Sequence, residues 1–180
     1  TSAADGLGVI VGGLLARSRS RKEFDGCQEM ACHVIPSLGT GGAQRQLLEY
    51  LRCSGPGPPI HVIALFDSGD RFLSALIANG VEPEILARRC RRNRIGQLAL
   101  RFFPNTMALV ALCVYLRSCQ PTCVLSWLFQ ANVVTAPAAR LAGVPRVVSS
   151  VRNMSSWKSW PEYRKWWYWL ADRITAPLND

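Results

Sequence analysis

From Ala31 onward, short apolar runs and helical stretches take turns along the chain, and this alternation limits the fold more than any other feature. Apolar or β-branched runs occur at Cys32–Pro36, Ile60–Phe66, Val81–Ala87, Thr122–Trp127, Arg146–Val151 and Arg173–Ala176. Between them, Ala43–Cys53, Asp70–Asn79, Pro104–Cys119, Gln130–Ala142 and Pro161–Ala171 fit helices. Breakers separate the two kinds: a Gly/Pro stretch at 55–59, then Asn79-Gly80, Gln120-Pro121 and Gly143-Val144-Pro145. Asn79-Gly80 and Ala142-Gly143 have the form of helix C-caps, where glycine takes the left-handed turn that other residues resist. Consecutive strands joined by helices pair in parallel through right-handed crossovers. The predicted fold is α/β, a Rossmann-like open parallel sheet with helices on both faces.

The first strand leads through Ser37-Leu38-Gly39-Thr40-Gly41-Gly42 into a helix whose Leu47, Leu48 and Leu51 share one face. A glycine turn at a helix start exposes main-chain N–H groups to a phosphate or a sugar, because no Cβ blocks the approach. Plain turn chemistry is the competing reading. A dinucleotide fingerprint needs G-x-G-x-x-G, but Gln44 stands where the third glycine belongs. A triphosphate loop needs a Lys after the glycines, and none follows. In an open parallel sheet, ligands bind beyond the carboxyl ends of the strands, where Gly39–Gly42 fall.

The 180 residues suffice for one domain, and 49% hydrophobic with 18% charged residues describes a globular chain. Its net charge of +9 is unevenly spread: residues 85–161 contain ten Arg and one Lys but no Asp or Glu. Such a stretch suits an anionic partner (phosphates, lipid headgroups or nucleic acid), or a solvated basic face. No nucleic-acid-binding signature accompanies the charge, so nucleic acid is not an expected partner. Seven cysteines form no C-x-x-C pair and only His33 and His61 accompany them, so no metal site is expected. Their apolar surroundings suit reduced thiols in a cytoplasmic protein.

Leu7–Ala16 is apolar and precedes Arg17-Ser18-Arg19-Ser20-Arg21-Lys22, too short to span a bilayer and with its charges on the wrong side for a signal peptide. Residues 1–30 are read as an N-terminal extension, either poorly ordered or the tail of a longer element. Residues 31–180 form the Rossmann-like domain. The sequence stops directly after the last strand candidate, as expected for half of a two-domain protein.

Several motifs carry a resemblance. They are His33–Gln44 (HVIPSLGTGGAQ), Asn79-Gly80-Val81, Ser126–Asn132 (SWLFQAN), Ala139–Arg146 (AARLAGVPR from Ala138), Ser150-Val151-Arg152-Asn153 and Ala171-Asp172-Arg173-Ile174. Together they resemble the N-terminal domain of family 4 glycosyltransferases, over about 150 residues and in family order. The resemblance implies a GT-B fold of two Rossmann-like domains, of which this chain is the acceptor-side half, with the donor-binding domain absent. It implies a retaining, hexosyltransferase-type activity without metal or other cofactor. The sugar passes from a nucleotide-sugar donor to a glycan, a lipid-linked acceptor or a cell-surface polysaccharide such as lipopolysaccharide. The location implied is cytoplasmic, at the inner face of the cell membrane for a lipid-linked acceptor. This half alone is expected to be inactive.

By the same resemblance, Gly41 and Gly42 approach the donor diphosphate and the acceptor, where charge develops as the glycosidic bond breaks. Gln44 stands where relatives often carry Glu. Trp127 and Asn132, near the fourth strand's end, are acceptor-binding candidates: an exposed indole stacks on sugar faces and an amide bonds hydroxyls. Their alternative roles are capping the core and the following helix. Arg152 and Asn153 stand near a loop where several relatives carry a histidine, so no catalytic residue is carried over. Arg152 is a candidate for binding a phosphate, or a plain surface cation. The leaving phosphate itself can accept the acceptor's proton, so a stretch without carboxylates is compatible with the reaction.

Two clusters point to an anionic membrane surface: Arg88–Arg94, and the aromatic segment Trp157–Trp169 with its interspersed cations. For the aromatic segment, burial in a domain junction is the alternative. A second function class is the nucleotide-binding domain of an oxidoreductase, with Asp67 after the second strand as the ribose-binding acid.

Overall fold

A computed structural model describes residues 30–54, 59–69, 71–91, 94–150 and 161–180. The strands are β1 (Ala31–Ile35), β2 (Ile60–Ala64), β3 (Glu84–Ile85), β4 (Cys123–Trp127) and β5 (Arg146–Ser150). The helices are α1 (Gly42–Cys53), α2 (Arg71–Ala78), α3 (Leu86–Cys90), α4 (Arg94–Phe102), α5 (Pro104–Cys119), α6 (Phe129–Ala142) and α7 (Glu162–Thr175), followed by a 3₁₀ turn (Ala176–Leu178). All five strands are parallel, in the order β3-β2-β1-β4-β5. The α/β Rossmann-like sheet follows the predicted pattern.

β1 lies at the centre of the sheet and, His33 apart, is apolar: Cys32, Val34 and Ile35 are inaccessible to water, as expected of a strand covered on both faces. Cys32 and Val34 point to one side, where they pack with Val124, Val147, Leu112, Leu116 and Val134 beneath α5 and α6. Ile35 points to the other, with Val62, Ala64, Trp127, Leu47, Leu48 and Leu76 beneath α1 and α2. Each apolar helix stripe therefore has a sheet face to cover.

Both predicted glycine stops form. Gly80 (φ +75°) and Gly143 (φ +80°) sit in the left-handed region, with Val81 N–H donating to Leu76 O and Val144 N–H to Ala139 O, both at 3.0 Å.

Three expectations are corrected. The proposed strand Arg173–Ala176 is helical: α7 runs through Thr175, whose hydroxyl donates to Ala171 O at 2.9 Å, one helical turn back. The proposed strand Val81–Ala87 shrinks to Glu84–Ile85, and Leu86 already opens α3. At the sheet's edge, a strand with one neighbour has less pairing to hold it than a helix seated on the core. Helix α4, where no element was predicted, packs inward through Leu100. The extension at residues 1–29 lies outside the described residues.

Candidate functional site

The order of the strands sets the place where a ligand is expected. Connections from β1 run outward through β2 to β3, then the chain returns and continues outward from β4 to β5. The crossovers thus diverge between β1 and β4, leaving a crevice at their carboxyl ends. On the β1 side lies the glycine turn; on the β4 side lies Leu128.

The β1 turn is braced by its neighbour. Leu65 N–H donates to Ile35 O at 3.0 Å, Phe66 N–H to Pro36 O at 2.8 Å and Phe72 N–H to Leu38 O at 3.3 Å. A Cβ on Gly39 would lie 3.3 Å from Ser68 O, and Gly69 (φ +82°) packs so near that its own Cβ would fall 2.9 Å from Gly39 Cα. Gly41 is the N-cap of α1 in extended conformation, with no side chain capping the helix and no acid in its first turn. No side chain therefore caps the positive end of the helix with a hydrogen bond. Gly42 is exposed, and a Cβ there would meet nothing within 4 Å. The open space is at Gly42.

Gln44 folds back beneath the turn. It is 8% exposed, its Nε2 donates to Ser37 O at 3.1 Å, and its Oε1 occupies the space a Cβ on Gly41 would need. It ties the turn to the helix from inside, so its amide nitrogen is already engaged.

Across the crevice, Leu128 has φ +73° and ψ 151° and is the N-cap of α6. That region is essentially restricted to glycine, and holding a leucine there costs on the order of 1–3 kcal/mol. Such strain persists only where the surroundings over-determine it. Here the fixed ends are β4, paired on both sides, and α6, buried along Ala131, Val134, Ala138 and Ala139.

Trp127 and Asn132 take different roles from those expected of open acceptor contacts. Trp127 is 5% exposed and packs in the core with Ile35, Leu48 and Val62, so its ring is no platform for a sugar. Its Nε1–H donates to Nδ1 of His33, 2% exposed on β1, at 3.2 Å. Burial lowers the His33 pKa to about 4, so the ring is neutral with its proton on Nε2. Asn132 is 7% exposed, with its amide 2.8 Å from Ser126 Oγ at one end and 3.3 Å from Ser150 O at the other. Placing the nitrogen at the β4 end lets it donate to Leu128 O at 3.0 Å and Ser126 O at 3.2 Å, which the surrounding carbonyls favour. Ser126 Oγ also lies 3.1 Å from Ser149 Oγ, which donates to Asn179 Oδ1 at 2.6 Å. This polar chain locks β4, α6, β5 and the last turn together. Asn132 is a structural member of it.

Arg152 and Asn153 lie outside the described residues, as do Trp157 and Trp160. Asp67 is bridged by Arg88 at 3.0 Å and Arg91 at 2.9 Å, and Arg89 by Glu84 at 2.8 Å. Three arginines of the Arg88–Arg94 cluster are thus engaged by two carboxylates of the fold. Among the described residues, no group of three or more His, Cys, Asp or Glu is placed to hold a metal ion. The thiols of Cys32, Cys119 and Cys123 gather at the opposite, amino-terminal end of the sheet; a hydrogen bond with Cys119 and burial hold Cys32 protonated.

The chain matches no protein-family model and no curated protein sequence. No helix among the described residues is long and apolar enough to cross a membrane.

His33 and Leu128 escape sequence reasoning as site-forming residues. The imidazole leaves one signal, a titratable ring inside an otherwise apolar central strand. Leu128 leaves none, since no glycine marks its turn.

Proposed function

We propose that the chain is the acceptor-side half of a retaining GT-B glycosyltransferase, moving a sugar from a nucleotide donor to a lipid-linked or cell-surface polysaccharide acceptor. One observation carries the reading. The start of α1, with Gly41 as its N-cap, no side-chain cap and open space at Gly42, follows the carboxyl end of β1, next to the point where the crossovers diverge between β1 and β4. The amides there are preorganised toward negative charge, as a departing nucleoside diphosphate requires. Gln44 ties the turn to the helix, and the strained Leu128 follows the carboxyl end of the neighbouring strand β4. A second, donor-binding domain belongs to this reading, and the isolated 180 residues would turn over no substrate.

The oxidoreductase alternative is not favoured. Asp67, its ribose-binding acid, is already held by two arginines.

The test is donor hydrolysis across a panel of nucleotide-sugars by the product of the full reading frame, with Gly42→Leu as the control. The reading expects sugar release that the substitution abolishes without lowering the melting temperature. Unchanged release by Gly42→Leu would reduce the turn to a structural feature.

A further inference from the structure

Helix α4 faces solvent with a stripe that its own fold leaves uncovered. Gly96 and Leu100 turn inward, against Cys90 and the core below α5. One turn around, Arg94, Leu98, Arg101 and Phe102 fall at helical spacing on the outer face, and Phe103 follows as the N-cap of α5. Leu98, Phe102 and Phe103 are 59%, 64% and 67% exposed, so two phenyl rings and a leucine stand in water together. Scattered apolar residues are ordinary on a surface, but contiguous ones mark a contact.

The charges around the patch are of one sign. Arg94 and Arg101 are exposed, and among the described residues no ion pair engages either one. No carboxylate occurs in the sequence from Ile85 to Pro161. The nearest acids along the chain, Asp67 and Glu84, are already bridged by Arg88, Arg91 and Arg89. A protein partner would have to offer both an apolar socket and matching acids. An anionic bilayer offers both at once, headgroup phosphates beside acyl chains, to a helix lying in its plane.

Position adds to this. Helix α5 ends at Cys119, and Thr122 N–H then donates to Met30 O at 3.0 Å, at the amino end of β1. Helix α5 therefore starts at the carboxyl rim, and Phe103 stands on the same rim as Gly41 and Gly42. A surface seated there would present the crevice to the membrane.

We propose that the outer face of α4 with Phe103 is a docking surface for an anionic lipid bilayer. This goes beyond the transferase reading and stands without it, since it rests on α4 and Phe103.

The experiment is co-sedimentation of the chain with phosphatidylcholine vesicles, with and without phosphatidylglycerol. The wild-type chain should pellet with the anionic vesicles only and be released by added NaCl. Phe102→Ser/Phe103→Ser should lower the partition constant by about tenfold or more. Arg94→Gln/Arg101→Gln should lower it and flatten the salt dependence. Since all four side chains are exposed, circular dichroism and melting temperature should match wild type. Failure to pellet, or equal pelleting of the variants, overturns the proposal. So does concentration-dependent self-association that the Phe substitutions abolish, which would assign the patch to a second copy of the chain.

Discussion

Trp127 Nε1–H donates to His33 Nδ1 at 3.2 Å, joining neighbouring strands through side chains 94 positions apart in the sequence. The indole and imidazole rings lie 6.0 Å apart and stacked, and Tyr50 of α1 closes the other side with its ring 5.0 Å from His33. The bond gives a buried indole donor its partner and sets the imidazole tautomer. Trp127 is the last residue of β4, immediately before the strained Leu128.

Removing the donor should weaken the fold. Trp127→Phe leaves His33 Nδ1 buried without its partner, and a loss of about 1–3 kcal/mol in urea unfolding is expected. Adding His33→Phe should restore part of that loss, because an apolar pair leaves no orphaned nitrogen. Losses that simply add in the double variant would show that the two side chains do not interact.

Acid should test the same pair. The His33 pKa is about 4 in the fold against an ordinary 6.5, so the unfolded chain binds the proton more tightly. Stability from this residue is complete above pH about 6.5 and falls as pH drops from there toward 4, by on the order of 3 kcal/mol. His33→Gln has no such titration, so its unfolding free energy should be flatter than wild type across that window. Parallel pH profiles would contradict the buried, neutral imidazole.

The two glycines of the turn should respond differently. Gly42→Ala enters open space at a helix start and should leave unfolding free energy unchanged within about 0.5 kcal/mol. Gly41→Ala must displace Gln44 Oε1 and disturb the Gln44–Ser37 bond, at a cost of about 1 kcal/mol. Equal effects in chemical denaturation would mean that Gln44 does not hold the turn.

Leu128 should invert the usual order of substitutions. Trimming a half-buried leucine to alanine removes contacts, and glycine removes no fewer. Yet glycine alone relieves the backbone at φ +73°. Leu128→Gly should therefore unfold at least about 1 kcal/mol less readily than Leu128→Ala, against the ordinary preference for alanine. Comparing the two denaturation midpoints decides it.

The alternation of apolar runs, breakers and helical faces determined the parallel sheet, because a strand buried on both faces is predominantly apolar and a parallel neighbour requires a crossover. It determined the glycine stops at Gly80 and Gly143 and the side-chain-free start of α1 for similarly local reasons. Tertiary structure decided the rest. Arg173–Ala176 carries the branched pair Ile174-Thr175 of a strand, yet with no neighbour to pair it is helical, the end of α7 running into the 3₁₀ turn. Trp127 and Asn132 have residue types suited to sugars, but contacts with His33 and with Ser126 draw them inward. Leu128 is held in a glycine conformation by strand and helix ends that its sequence does not mention. Local pattern reports what a residue prefers; which partner reaches it depends on distances that exist only once the strands are side by side.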